Sequence, residues 1–188
     1  GSFGHDGFET KDRFGRKRQR ENDIVEDFDV IPNGTHVITH NLSTPKYNDR
    51  FARVVLYDSP NDRYVIRLDG SQETFKIRRK NIFQRVKGEI TGLSKQPDMN
   101  GRKVEIVRYD TTRQRYMIRM GTKTLFLSPA NVILPHGARG VIQNLTNNPQ
   151  WNGKFCAISG YDRSARRYRV QISKKRRVGL KLEHVLLA

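Results

Sequence analysis

The segment YDTTRQRYMIRM, residues 109–120, decides the fold of this chain. Tyr116, Ile118 and Met120 stand at every second position of its second half, which is the period at which side chains share one face of a β-strand. Arg115 and Arg119 fall on the other face. The segment therefore predicts a strand that packs a core on one side and presents cations on the other.

Two near-copies of this segment lie elsewhere in the chain, YDSPNDRYVIRL at residues 57–68 and YDRSARRYRVQI at residues 161–172. Successive copies are 52 residues apart, and Pro45, Pro97 and Pro149 keep the same spacing. Self-similarity at a fixed period is the signature of a repeat architecture. The apolar stripe also returns, as Tyr64, Ile66 and Leu68 in the first copy and as Tyr168, Val170 and Ile172 in the third.

Each repeat is predicted to consist of short strands joined by polar turns. In the second repeat we expect strands in RVKGEITGL, RKVEIVRYD, RYMIRM and TLFLS, then a short helical turn and a last strand in PANVIL. Five short strands in about 50 residues are typical of a small barrel. The chain is thus expected to be all-β, with three tandem five-stranded barrels at residues 34–84 (unit one), 85–134 (unit two) and 135–188 (unit three), after a flexible tail at residues 1–33.

A loose pattern runs through the three units: Leu, then Pro-x-x-Asn-Gly, then Tyr-Asp, then Arg-Tyr-x-[Ile or Val], and a final Leu. Together with the strand layout it resembles the SH3-like barrel superfamily, which includes the KOW and Tudor modules. The resemblance covers residues 34–187 and implies a fold more strongly than a function. Unit one has Asn48-Asp49 where the other units have Asn-Gly, so its first loop is the weakest match.

The tail differs from the repeats in composition. KDRFGRKRQR is basic, ENDIVEDFDV is acidic, and neither shows sustained periodicity, so both are expected to be flexible. Its apolar residues Ile24, Val25 and Phe28 are candidates for docking onto the first barrel. A basic run could serve as a nuclear localisation signal, as a phosphate-binding arm or as a plain solvated tail; its cations are Arg16, Lys17, Arg18 and Arg20.

Net charge points to the class of partner. The chain carries +17 at pH 7 with a sequence pI near 10.4, which favours a polyanion: nucleic acid first, and an acidic protein or membrane second. The tail carries −2, residues 34–83 carry +4, residues 84–133 carry +6 and residues 134–188 carry +9. The repeats rather than the tail therefore generate the positive field, although a solvated basic surface without a partner is the alternative.

Within the repeats, the candidate binding cations lie opposite the apolar stripe or in SKKRR, the predicted hairpin tip of unit three at residues 173–177. They would contact phosphates and so give affinity without sequence readout. Gln171 takes the outward position that Arg67 and Arg119 hold in the other units. The candidates are Arg63, Arg67, Arg78, Arg115, Arg119, Arg167, Arg169, Lys174, Lys175, Arg176, Arg177 and Lys181.

Aromatic residues admit two interpretations. The recurring tyrosines are expected to pack the core and to form hydrogen bonds through their hydroxyls. A Tudor-type aromatic cage would need aromatic rings in the first loop, where unit one has Tyr47, unit three has Trp151 and unit two has Met99. The sequence thus predicts no complete cage, while exposed rings such as Trp151 or Phe126 could stack on bases.

Catalytic and metal-binding patterns are missing from the sequence. It has no Gly-rich phosphate loop, no His-Glu-x-x-His motif and no Cys/His zinc spacing. The lone Cys156 is expected in the core, and His184 is expected to be structural. His36 and His40 would stand about 13 Å apart along a strand, too far to share a metal. We therefore predict a protein that is not an enzyme and has no cofactor or metal.

The leading hypothesis is a nucleic-acid-binding module, with DNA versus RNA and single versus double strand left open. The alternative is a protein-interaction module, either a Tudor-like reader or a scaffold for a peptide or acidic partner. Basic histone tails would be repelled by a +17 chain, which weighs against the reader. No apolar run reaches the roughly 18 residues of a membrane span, and a single cysteine fits a reducing compartment, so an intracellular and nuclear location is expected.

Overall fold

The computed structural model describes residues 27–188, and this part of the chain is all-β, with no α-helix. Fifteen strands form three antiparallel sheets of five. Unit one contains β1 (His36–Thr39), β2 (Phe51–Asp58), β3 (Arg63–Leu68), β4 (Thr74–Ile77) and β5 (Ile82–Gln84). Unit two contains β6 (Val86–Ile90), β7 (Lys103–Asp110), β8 (Arg115–Met120), β9 (Lys123–Leu127) and β10 (Val132–Ile133). Unit three contains β11 (Arg139–Ile142), β12 (Phe155–Asp162), β13 (Arg167–Ser173), β14 (Arg176–Lys181) and β15 (Val185–Leu187).

All three sheets have the same topology. The first four strands of each unit pair consecutively, and the short fifth strand pairs with the free side of the first, as in β4-β3-β2-β1-β5. The prediction of an all-β chain with three five-stranded units is confirmed. The sheets do not close into barrels, however. Because the fifth strand is only two or three residues long and pairs with the first, the outer edge of the fourth strand has no partner strand within residues 27–188.

The repeated Asn has a defined task in the loop between the first two strands. In each unit its side chain accepts from the backbone N–H of the repeated Leu and donates to the C=O of that Leu, at 2.7–3.0 Å; the pairs are Asn48 with Leu42, Asn100 with Leu93 and Asn152 with Leu145. The next residue has positive φ, 89° at Gly101 and 82° at Gly153. Asp49 adopts the same conformation at 56°, since Asp tolerates the left-handed region, and unit one therefore keeps the loop without the glycine.

The repeated strand tyrosines are buried, as predicted: Tyr64, Tyr116 and Tyr168 are at most 2% exposed. Each hydroxyl accepts a hydrogen bond from a backbone N–H at a unit boundary, that of Ile31 for Tyr64, of Leu187 for Tyr116 and of Leu134 for Tyr168. Burial raises the pKa of all three phenols above the ordinary value. These tyrosines are structural. Tyr64 bonds the segment that precedes unit one, whereas Tyr116 and Tyr168 form hydrogen bonds between units two and three.

Apolar packing does not follow the unit boundaries. Units two and three share one continuous core, which Ile38 and Phe83 of unit one also join, whereas the rest of unit one has a separate core. That smaller core includes Ile31, which is fully buried although the sequence assigned it to the tail. Of the predicted docking residues, Phe28 is half-buried, while Ile24 and Val25 lie outside the described residues.

Polar contacts join units one and three, which are not neighbours in sequence. The buried Gln84 side chain accepts from the backbone N–H of Arg139 at 3.0 Å and donates to the C=O groups of Arg139, at 2.8 Å, and of Ala188. The Arg139 guanidinium donates to the C=O of Val30 at 3.0 Å. Since buried polar groups are stable only when hydrogen-bonded, this network fixes the relative position of the two units.

Candidate nucleic-acid interface

The outer faces of the sheets carry most of the predicted binding cations. In each unit, the third strand directs its alternate side chains away from the core, and strand register places one residue from each neighbouring strand beside them. A transverse row of four outward residues, one from each of the first four strands, can therefore be compared between the units. We call these the row of unit one, of unit two and of unit three.

The row of unit one is cationic. His36, Arg53 and Arg67 lie directly opposite one another on β1, β2 and β3, followed by Thr74 on β4. His36, Arg53 and Arg67 are all exposed. No carboxylate lies within ion-pair distance of Arg53 or Arg67 among residues 27–188. Like charges directly opposite on adjacent strands destabilise a sheet, so folding by itself does not explain this row.

The row of unit two contains a carboxylate. It runs Lys87, Glu105, Arg119 and Thr124. Glu105 lies between the two cations and also binds Arg85, whose Nη2 is 2.9 Å from Glu105 Oε1. The Arg85 guanidinium in turn stacks on Phe51 of unit one, 3.5 Å from the ring centroid. Arg119 is thus exposed as predicted, but it faces a carboxylate that also links units one and two.

The row of unit three is covered. It runs Arg139, Ala157, Gln171 and Arg177, and the first three are at most 6% exposed. Gln171 points away from the core of its own unit, as predicted, yet it is 1% exposed rather than on the surface. The reason is tertiary: this row begins at the Arg139 junction with Gln84, so packing between units encloses it.

The arginines before the strand tyrosines face aspartates. Arg63, Arg115 and Arg167 lie directly opposite Asp58, Asp110 and Asp162, the aspartates of the three Tyr-Asp pairs. Each aspartate is also bound within its own turn. In unit three, the N–H groups of Ser164 and Ala165 donate to Asp162 and, with the Ser164 hydroxyl, hold the pKa of that carboxyl below its ordinary value.

A cleft of about 600 Å³ separates units two and three, and it brings together cations that are distant in the sequence. Its wall in unit three contains Arg163, Arg166, Arg167 and Lys181, with Glu183 as the one carboxylate, while unit two contributes Thr91 and Gly92. Arg167 and Lys181 lie opposite each other on β13 and β14. We call Arg166, Arg167 and Lys181 the cleft cations, and none of them forms an ion pair within residues 27–188.

Arg163 has a different part in this cleft. It makes a two-pronged contact with Glu89 of unit two, at 2.9 and 3.0 Å. Lys103 also reaches Glu89, at 3.4 Å. The hydrogen bonds from Arg163 are the main reason that the pKa of Glu89 is held below its ordinary value. Arg163 therefore closes one edge of the cleft by joining its two sides.

The basic hairpin tip of unit three divides between two faces. Lys174 and Lys175 form the turn and are exposed. Arg176 lies over the ring of Trp151, 5.7 Å from its centroid, whereas Arg177 stands on the outer face opposite Gln171. The four predicted cations thus do not form one patch.

Two further predicted cations, Arg169 and Arg78, lie apart from the rows. Arg169 lies over Gly160 on the outer face of unit three, where a Cβ on that glycine would be 2.5 Å from the guanidinium. Arg78 is exposed between β4 and the turn Arg79–Asn81. Arg113 was not among the predicted binding residues; it binds Asp110 at 2.7 Å and stacks on Phe126. The tail candidates Arg16, Lys17, Arg18 and Arg20 lie outside the described residues.

Sequence reasoning missed His36, Arg53, Arg163 and Arg166. Arg53 could have been found, because Ala52 and Val54 on either side of it have the period of a core-facing strand. Arg163 and Arg166 occur in the turn of unit three alone, and no pattern in the chain indicates that this turn faces unit two.

The reactive side chains show no convergent site in the described chain. Cys156 is fully buried, as predicted, and burial raises the pKa of its thiol to about 12. His184 has a structural role, as predicted. Its ring nitrogen Nδ1 lies 3.0 Å from the C=O of Gln143, and Asn131 makes the equivalent contact with the C=O of Thr91 in unit two. Residues 27–188 contain no group of three metal-ligating side chains.

Comparison of the sequence with protein-family profiles and with curated proteins gave no match. Within residues 27–188, no helix has the length and apolar character needed to cross a membrane.

Proposed function

We propose that this chain is a non-enzymatic nucleic-acid-binding module that holds phosphates on basic surfaces of its packed units. The observation that carries this proposal is that the exposed Arg53 and Arg67 face each other across neighbouring strands, with no carboxylate within ion-pair distance of either among residues 27–188. Such an arrangement costs folding free energy. A bound polyanion offsets that cost, since each phosphate brings the opposite charge between two cations.

Backbone contact is the mode of binding that these surfaces favour. The cations stand on strands and turns, and residues 27–188 contain no α-helix that could read base edges in a major groove. Arginine and lysine on phosphates give affinity with little dependence on sequence and a steep dependence on salt.

The cleft cations provide the test. Arg166, Arg167 and Lys181 are replaced together by glutamine, and binding to a labelled 30-nucleotide strand is followed by fluorescence anisotropy over a range of salt concentrations. Each lost phosphate contact lowers the slope of log K against log salt by about 0.7–0.9. We expect the triple variant to lose about two to three from the slope of the unchanged protein.

A matched control separates position from net charge. Lys80, Lys95 and Lys154 are exposed, one in each unit and outside the rows and the cleft, so their replacement by glutamine removes the same charge. This control should change the slope by less than about one. Equal losses in both triple variants would assign binding to net charge alone. Absence of binding by the unchanged protein at about 50 mM salt, or equally tight binding to polyglutamate, would contradict the proposal.

A further inference from the structure

Unit one contains an aromatic pocket that the phosphate contacts do not use. It has a volume of about 130 Å³ and lies between the loop after β1 and the strands β3 and β4. Tyr47 and Phe75 form its aromatic wall, with ring centroids 4.9 Å apart and planes at 56°. Leu42 and Leu68 add aliphatic surface, and Ser43 lies among the lining residues.

The equivalent places in the other two units do not offer such a site. Unit two has a recess of about 290 Å³ there, but Met99, Met120 and Leu125 line it and no aromatic ring does. In unit three the loop carries Trp151, but Val178 stands opposite Val170 where unit one has Phe75 opposite Ile66, so the second aromatic ring is missing. A pocket with two aromatic rings in its wall is therefore a feature of unit one within the described chain.

The charges around the pocket exclude a cationic ligand of the methyl-lysine type. Lys46 lies near the Tyr47 ring, with its Nζ 4.9 Å from the centroid, and its positive charge would repel a cation placed in the pocket. No aspartate or glutamate lines the pocket, whereas Lys76 does. An uncharged ring attached to a polyanion suits this environment, because the ring fills the apolar space and the exposed Lys46 can meet a phosphate, whereas Lys76 is paired with Asp58 at 3.5 Å.

The volume of the pocket limits the size of the ligand that it can hold. A cavity of about 150 Å³ is enough for one benzene-sized ring, so a pocket of about 130 Å³ matches a single six-membered ring. Pyrimidine bases have that size, and they can stack on aromatic side chains only when they are not already stacked in a duplex.

We propose that the Tyr47–Phe75 pocket receives an unstacked pyrimidine base from a single-stranded nucleic acid. This inference rests on the proposed function, and it adds a preference for single strands and for pyrimidines. The row of unit one and the cleft hold phosphates, and the pocket selects the strand type.

The test compares two 12-nucleotide single strands that carry the same number of phosphates, oligothymidylate and an abasic strand without bases. Stacking of one base on an aromatic side chain contributes about fivefold or more to affinity. The unchanged protein should therefore bind oligothymidylate at least about fivefold more tightly than the abasic strand. Tyr47→Leu should bind both strands equally, and at the affinity that the unchanged protein has for the abasic strand.

Two controls keep the outcome decisive. Phe75→Leu, which retains an apolar side chain in a partly buried position, should give the same result as Tyr47→Leu. Trp151→Leu, the equivalent change in unit three, should retain the preference for oligothymidylate. Thermal unfolding of each variant shows whether the fold is intact, and a variant that has unfolded is replaced in the comparison by the other unit-one variant.

The pocket inference and the proposed function fail in different ways. If the unchanged protein binds both strands but does not discriminate between them, or if both unit-one variants still discriminate, the pocket inference is wrong and phosphate binding stands. Tighter binding of a trimethyl-lysine peptide than of oligothymidylate would also overturn the pocket inference. If the unchanged protein binds neither strand nor a 12-base-pair duplex, the proposed function itself is wrong.

Discussion

The rows of unit one and unit three occupy equivalent strands in equivalent sheets, and they have opposite environments. In unit one the row presents His36, Arg53 and Arg67 to solvent. In unit three the corresponding positions are Arg139, Ala157 and Gln171, and all are nearly inaccessible. One copy of the repeat has therefore become a surface and another has become part of an interface between units.

Unit two lies between these extremes and shows how charge is distributed among the copies. Its row keeps two cations but places Glu105 between them, and Glu105 binds Arg85 at the boundary with unit one. A cation that has a carboxylate directly opposite has less to gain from a phosphate, because the protein already supplies its counter-charge. Binding strength is thus expected to vary between copies of the same strand.

Breaking the interface that buries the unit-three row should have the largest effect. Gln84→Leu removes the side chain that bonds the backbone of Arg139 and Ala188, and so takes the Gln84 partner from the buried Arg139 N–H and from the Ala188 oxygen, while the Arg139 C=O keeps the Ala188 N–H. Unsatisfied buried groups cost about 1–3 kcal/mol each, so we expect the free energy of unfolding in urea to fall by about 2–4 kcal/mol. Gln150→Leu, at an exposed position, should change it by less than about 0.5 kcal/mol. Equal stability of the two variants would mean that this network does not hold the units together.

Neutralising two outward arginines in unit one or in unit two tests whether an opposing carboxylate weakens phosphate binding. Arg53→Gln with Arg67→Gln in unit one should weaken single-strand binding on the order of tenfold at about 0.1 M salt. Arg115→Gln with Arg119→Gln in unit two removes the same charge, but both arginines have carboxylates opposite them, so the loss should be about threefold or less.

Stability should change in the opposite sense in these two double variants. Removing the Arg53–Arg67 repulsion is expected to raise the free energy of unfolding by a few tenths of a kcal/mol, and removing the attraction in unit two should lower it slightly. Urea unfolding measures both. A loss of stability in the unit-one variant would show that its arginines serve the fold instead of a ligand.

The smallest predicted effect is the loss, at low pH, of the stability that Glu89 contributes at the edge of the cleft. Because Arg163 and Lys103 hold the pKa of Glu89 below its ordinary value of 4.5, the stabilisation from Glu89 is fully present above about that pH. It is lost as the pH falls through the lower value of the folded state. The stability advantage of the unchanged protein over Glu89→Gln should therefore shrink from pH 6 towards pH 2.5. A constant difference over this range would contradict the assignment.

Much of the fold could be predicted because the same strand pattern occurs in all three repeats. The stripe at Tyr116, Ile118 and Met120 indicated a strand, and its return in the other units separated core positions from surface positions. Register between strands could not be predicted, and it is register that places Arg53 beside Arg67 and Lys181 beside Arg167. The buried state of Gln171 was also missed, since alternation shows which way a side chain points and does not show what covers it.

The sequence was sufficient to predict an all-β chain of three similar units, the tyrosine core of each, the core position of Cys156 and a net charge that favours a polyanion. These properties follow from local periodicity and composition, which every copy carries. Three features could be seen only in the folded chain: the sheets remain open, units two and three share a core, and one row is buried while another is exposed. Those features depend on contacts between residues far apart in the chain, such as Gln84 with Arg139 and Glu89 with Arg163, and no local pattern encodes such pairs.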